Sequence, residues 1–249
     1  MPDAAVPVTV AVLQPGYLPW LGFFDQMRRA SVFVLYDDVQ YDKHGWRNRN
    51  RIKTPAGAHW LSVPVLHSGR NWPKVNEIEI DRRASWQRKH VSSLRQYYAR
   101  AARAREVLVE LEAVLTRDWE RLVDLDLAVM ALMADWLGLT TRTCLASELG
   151  IPGERSDRLL RICQHFGATR YLSGDAARDY LDVPVFSAAG IEVEWQEYRH
   201  PVYTQQHGPF ISHLSAIDLI LNCGRESAAI LASGGIADEA NGTTESEQR

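Results

Sequence analysis

Apolar residues follow two rhythms along this chain. Residues 8–13 (VTVAVL) and 32–36 (VFVLY) are short, unbroken apolar runs rich in β-branched side chains. That pattern predicts strands buried on both faces, as in the middle of a parallel sheet. Between them, residues 20–30 (WLGFFDQMRRA) place apolar side chains at helical spacing and turn basic at the end, where cations suit the helix dipole. Strand, helix and strand within about thirty residues make a βαβ unit.

After the second strand the rhythm breaks. Residues 37–51 (DDVQYDKHGWRNRNR) are polar, aromatic and basic, and two alternating segments then flank Pro55-Ala56-Gly57, predicting a β-hairpin. Residues 77–80 add a short strand. From 85 to 139 the period is helical, with helices expected at about 85–98, 104–115 and 118–138. Strand character returns at 142–145. A helix over 155–166 is expected to be capped by the Ser156 hydroxyl and stopped by Gly167. A strand through Tyr171-Leu172-Ser173-Gly174 leads into a helix at about 175–180, a strand at 191–196, and helices at 212–221 and 226–231. The last residues, GGIADEANGTTESEQR, carry too little apolar surface to offset ordering entropy and are expected to form a disordered tail over 236–249.

The fold class that follows is α/β: a mostly parallel, Rossmann-like sheet, with a nucleotidyltransferase-like variant in view, interrupted by an inserted β-hairpin and helical segment at about 42–140. One domain over 8–235 accounts for the pattern.

Composition narrows the function. The chain has 249 residues, a net charge of −3 and 24% charged residues, so it has no general attraction for DNA or an anionic membrane. Any anion must be recognised locally. Cys144, Cys163 and Cys223 have no CxxC spacing, and the N-terminus shows no leader pattern, so a reduced, cytoplasmic protein is expected. No HExxH or HxH pattern suggests a metal centre, and no GxSxG elbow suggests a serine nucleophile.

Candidate chemistry gathers where strands end, since open α/β sheets bind ligands beyond their carboxyl ends. Gln14-Pro15-Gly16-Tyr17 leaves the first strand. Gly16 offers a positive-φ position, Gln14 a donor and an acceptor, and Tyr17 and Trp20 aromatic faces with polar tips. The start of the following helix would favour a phosphate or carboxylate. In a purely structural alternative, these aromatics are core plugs. Asp37 and Asp38 end the second strand as candidate general base and hydroxyl ligand, or else as turn formers. If residues 47–51 are extended, Arg47, Arg49 and Arg51 share one face and Asn48 and Asn50 the other. With Lys53, Trp46 and Gln40 they are candidates to bind a diphosphate, a phosphopantetheine phosphate or the end of a tRNA. His44 and His200 are candidate proton carriers, with His213 nearby in sequence. Ser173 and Gly174 permit close ligand approach. Asp218 must be paired if buried, and an arginine of the insert is the expected partner.

The blocks QPGYLPWLGFFDQ, DDVQYDKHGWRNRNRIKT, SELG…DRLLRICQHFGATRYLSGDAARDYL, HPVYTQ and ISHLSAIDLILNCG, in this order over roughly residues 8–225, resemble the WbqC-like family. Its members are associated with surface-polysaccharide and secondary-metabolite gene clusters. The resemblance implies transfer of an aminoacyl group, glycine in particular, onto an amino sugar. More faintly, Pro19-Trp20-Leu21-Gly22-Phe23 is similar to the T/HxGH element of nucleotidyltransferases, although Trp20 and Phe23 stand where that element has its histidines. The expected function is an aminoacyl or acyl transferase that forms an amide on an amine-bearing small molecule. The donor would be a carrier-protein thioester, an aminoacyl-tRNA or an adenylate. An ATP- and magnesium-using adenylating enzyme and a non-catalytic nucleotide-sugar-binding protein are the alternatives.

Overall fold

The computed structural model describes residues 6–43, 45–66 and 73–234. His44 and the proposed tail at 236–249 lie outside the described residues. The central sheet contains β1 (Thr9–Leu13), β2 (Val32–Leu35), β7 (Arg142–Leu145), β8 (Arg170–Ser173) and β9 (Glu192–Trp195). Its order is β7-β2-β1-β8-β9 and every pairing is parallel. Strands are thus added outward on one side of β1 and then on the other, the doubly wound arrangement of a Rossmann-like sheet.

Alternation along the strands divides the interior into two layers. Ala11, Phe33, Leu35 and Leu172 pack with Phe24 and Met27 of α1 (Leu21–Arg29) on one face. Val10, Val32, Val34 and Tyr171 pack on the other face with Leu159, Ile162 and Cys163 of α6 (Arg155–His165) and Phe186 of α7 (Val183–Ala188). Cys163 is fully buried, and burial pushes its thiol up to about 12. It is a packing residue.

Between β2 and β7 the chain builds the hairpin β3 (Arg49–Thr54) and β4 (Gly57–Ser62), the short pair β5 (Val65–Leu66) and β6 (Glu79–Ile80), and three helices. These are α2 (Trp86–Tyr98), α3 (Ala104–Leu115) and α4 (Leu122–Trp136), which join the α1-side core. The four-residue α5 (Ala146–Leu149) follows β7, and α8 (Ala216–Cys223) and α9 (Ser227–Ser233) complete the α1 face. No helix of the described residues is long and apolar enough to cross a membrane.

Several local expectations are corrected. Ser156 lies inside α6, and its hydroxyl accepts from the Asp182 N–H at 3.0 Å instead of capping the helix. The helix expected from 212 begins at Ala216, where the Ser215 hydroxyl accepts from the Ile217 N–H. Residues 175–179 form a 3₁₀ turn, and the helix α7 follows it.

Candidate functional site

The bend after β1 is held from outside by the insert. Two prolines and a glycine leave this loop few side chains to satisfy its own carbonyl groups, so donors must come from elsewhere. The Arg47 guanidinium donates to the Gln14 and Pro15 carbonyls at 2.9 and 3.3 Å, and Asn50 donates to the Leu18 carbonyl at 2.7 Å. In return, the Tyr17 N–H donates to the Arg47 carbonyl at 2.9 Å. Leu18, at φ 47°, takes the left-handed conformation expected at Gly16. Gly16 is needed for a different reason: a Cβ there would lie 3.0 Å from the Trp46 carbonyl oxygen. The arginine–asparagine ladder is therefore partly a clamp. Asn48 also turns inward, donating to the Val63 carbonyl at 2.8 Å.

Tyr17 is completely buried and presents no face to solvent. Its hydroxyl lies 2.9 Å from Nδ1 of His90, and its ring packs edge-on against Trp86. Burial lowers the His90 pKa to about 4 and raises that of Tyr17, so a neutral imidazole accepts from a protonated phenol. Beneath the clamp lies Asp126 of α4, wholly buried, with neither carboxyl oxygen hydrogen-bonded among the described residues. Burial pushes its pKa well up, opposed by the charge of Arg47.

A second cluster forms where the start of α1 meets the chain after β9. The Trp20 indole folds over the first turn of the helix, so a Cβ on Gly22 would fall 2.3 Å from the ring. On its outer side Trp20 stacks with His213 at 5.4 Å between centroids, and Tyr198 meets it edge-on at 5.3 Å. His200 lies 5.1 Å from His213. The chain is pinned here by Ala216 N–H donating to the Pro19 carbonyl and by a bridge between Trp20 and Ser215. His213 itself holds a left-handed backbone at φ 57°, a strained conformation that tends to persist at functional sites.

Among the described residues, three buried polar atoms around this stack have no hydrogen-bond partner: Nε of Arg51, the Tyr198 hydroxyl and Nε2 of His200. Each residue touches the stack, Arg51 by donating from Nη2 to the His213 carbonyl at 3.2 Å. Nδ1 of His200 lies 3.0 Å from the Pro201 carbonyl oxygen and takes the ring proton to donate there, leaving a lone pair on Nε2. Burial lowers the pKa of this imidazole, and His213 lowers it further. Burial raises that of Tyr198, which stays protonated. The cluster thus holds one unused proton acceptor and two unused donors, enclosed among aromatic rings.

Outward from Arg51 lies an aromatic shelf. The hairpin register sets Arg51 opposite Trp60. Trp46 and Trp60 lie 5.0 Å apart and are 44% and 42% exposed, large values for indoles. The Arg49 guanidinium lies 4.8 Å from the Trp60 ring, and Arg51 lies 5.3 and 5.7 Å from Trp46 and Trp60.

The remaining candidates lie elsewhere. Asp37 is buried and saturated: it accepts from Ser147 N–H at 3.0 Å, from the Ser147 hydroxyl at 2.6 Å and from Asn76 at 3.1 Å. Asp38 pairs with Arg158 of α6 at 2.5 Å. Asp37 and Oδ2 of Asp38 thus serve the β2–β7 side of the sheet, while the buried Oδ1 of Asp38 has no hydrogen-bond partner among the described residues. Lys53 is buried and donates to the Gly208 and Pro209 carbonyls. Asp218 accepts from the hydroxyls of Tyr98 and Tyr203 at 2.6 and 2.9 Å, so its partners are tyrosines, not the expected arginine. The carbonyl of Ser173 takes the Gln196 N–H, and the space beside Gly174 is filled by Gln26, whose amide nitrogen would lie 3.2 Å from a Cβ there. Gln40 is exposed and bridges to Lys74. A hollow of about 900 Å³ between α2 and α3, lined by Ser85, Arg88, Ser92 and Glu112 among others, contains none of these candidates.

Sequence reasoning named Trp20, Trp46, Arg49, Arg51, His200 and His213 but missed Tyr198 and Trp60. For Trp60 the signal was present, since counting outward from the turn at 55–57 pairs it with Arg51.

Comparison with known proteins agrees with the sequence resemblance. The WbqC-like protein family matches residues 14–230, and the chain belongs to that family. It is similar to the uncharacterized protein Rv1507c of Mycobacterium tuberculosis (strain ATCC 25618 / H37Rv), with 36% identity over 220 residues, 88% of this chain and 95% of that protein. No solved structure matches the chain.

Proposed function

We propose that the protein transfers an acyl or aminoacyl group from an activated donor to an amine-bearing small molecule, an amino sugar by preference, forming an amide. The observation that supports this reading most is the set of three unpartnered polar atoms around the Trp20–His213 stack. Acyl transfer to an amine needs a proton acceptor and donors for the acyl oxygen, and little else when the donor is pre-activated. In this reading the amine nitrogen attacks the acyl carbon and Nε2 of His200 takes its proton. Arg51 and Tyr198 donate to the oxygen as it gains negative charge. The bond from the acyl carbon to the thiolate, alcoholate or phosphate of the donor then breaks, and the leaving group receives the proton from His200. Arg49, Arg51 and the indoles hold a phosphate-bearing part of a substrate. Asp37, Asp38, Lys53 and Arg47 act by holding the strand ends and the bend.

The test is amide formation from carrier thioesters, aminoacyl-tRNA or acyl adenylates with an amino sugar, followed by mass spectrometry. His200→Gln should lower kcat by about 10²–10⁴-fold, and Tyr198→Phe by about 10²–10³-fold. Amide yield from His200→Gln equal to wild type would remove the assigned base. Tight binding of a nucleotide sugar without turnover across all donors would favour a binding protein instead.

A further inference from the structure

The shelf beside the reaction cluster has a composition of its own. Exposed tryptophans are costly, and these two touch each other, 5.0 Å apart and tilted by 42°, while nearly half of each stays exposed. The two guanidinium groups lie over the same indoles, within 4.8–5.7 Å of ring centroids. Aromatic planes ask for a planar ring, and paired arginines ask for adjacent phosphates, which guanidinium binds in two-pronged fashion. The chain as a whole is anionic, at −3, so this attraction is local. Arg51 belongs to the shelf and to the reaction cluster at once, because its Nη2 donates to the His213 carbonyl.

From these relations we infer that Trp46, Trp60, Arg49 and Arg51 form a subsite for a nucleoside diphosphate. The base lies on the indoles, and the phosphates meet the guanidinium groups. The distal phosphate points toward His213 and His200. The orientation rests on the transferase reading above; the binding does not. Two substrates could carry this group: a nucleotide-linked amino sugar as acceptor, or the adenosine diphosphate end of a coenzyme A thioester as donor.

The experiment is an equilibrium titration of the full chain with UDP, a UDP-linked amino sugar, ADP, coenzyme A, uridine and free glucosamine, read by tryptophan fluorescence and calorimetry. UDP or ADP should bind at least tenfold more tightly than uridine. Trp60→Ala and Arg49→Gln should each weaken that binding by tenfold or more while the thermal midpoint stays within a few degrees of wild type. Preference for the UDP sugar assigns the subsite to the acceptor, and preference for coenzyme A assigns it to the donor. No saturable binding of any nucleoside diphosphate, or binding unchanged in both variants, overturns the inference. Amide formation from free glucosamine without nucleotide binding would overturn it and leave the transferase reading standing. Binding without turnover would do the reverse.

Discussion

The Arg47 guanidinium donates to the Gln14 carbonyl at 2.9 Å, joining the start of the hairpin to the end of the first strand. The contact changes the meaning of a motif. An arginine that reads as a phosphate ligand satisfies a proline-rich bend, and the neighbouring buried Asp126 gives its charge company. Arg47→Ala should therefore destabilise the protein by about 2–3 kcal/mol, since it strands the Gln14 and Pro15 carbonyls. Urea unfolding measures the loss. The destabilisation should exceed that of Arg49→Ala, whose side chain lies over an exposed indole.

Gly22→Ala tests the role of the Trp20 indole. Alanine is the better helix former by up to about 1 kcal/mol, yet its Cβ would fall 2.3 Å from the ring. Steric displacement outweighs propensity, so a net loss of about 1–3 kcal/mol is expected. The indole would leave His213, and a red shift in tryptophan emission would report it.

Acid should weaken the fold partly through His90. Its folded pKa, about 4, lies below the ordinary 6.5, so the unfolded chain binds the proton more readily. The contribution is complete above about pH 6.5 and is lost as pH falls toward 4, on the order of 3 kcal/mol in all. Asp126 has the opposite sign: its raised pKa favours the protonated fold, and that contribution is lost as pH rises above the ordinary carboxylate value. Unfolding series from pH 4 to 8 should show a flatter acid limb in His90→Gln. Asp126→Asn should remove a decline on the alkaline side.

Asp218 and Lys53 offer a test of coupling. Burial pushes the Asp218 carboxyl up, while the hydroxyls of Tyr98 and Tyr203 and the charge of Lys53 pull it back. Asp218→Ala should cost about 3–5 kcal/mol, because two hydroxyls and a buried ammonium lose their acceptor or counter-charge. Lys53→Met combined with Asp218→Ala should cost less than the sum of the two single changes, by about 0.5–3 kcal/mol. Strict additivity would show that the ammonium does not feel the carboxylate.

The strands of the sheet were legible because runs such as VFVL are apolar on both faces, and few structures other than a central strand can bury both. β2 and β7 fall within one residue of their expected bounds, and α3 matches at both ends. α7 was not legible, since six residues containing a proline are too few for a period to show. In the site, residue types were informative but directions were not. Asp37 and Asp38 stand at a strand end, as expected, yet a side chain beyond the last pleat turns toward whatever packs there. Here those partners are Ser147 and Arg158. His213 gave no local sign of stacking on Trp20, because that contact joins residues some 190 positions apart.

The pairing of Trp20 with a segment some 190 residues downstream also sets an order of assembly. While the ribosome is still making the chain, the opening bend emerges without the surface that covers it. A nascent protein that stops before Ser215 lacks His200, His213 or the bridge that seats them, depending on where it stops. The cluster around Trp20 is thus completed only after Ser215 has been made, and shorter chains carry the shelf without it.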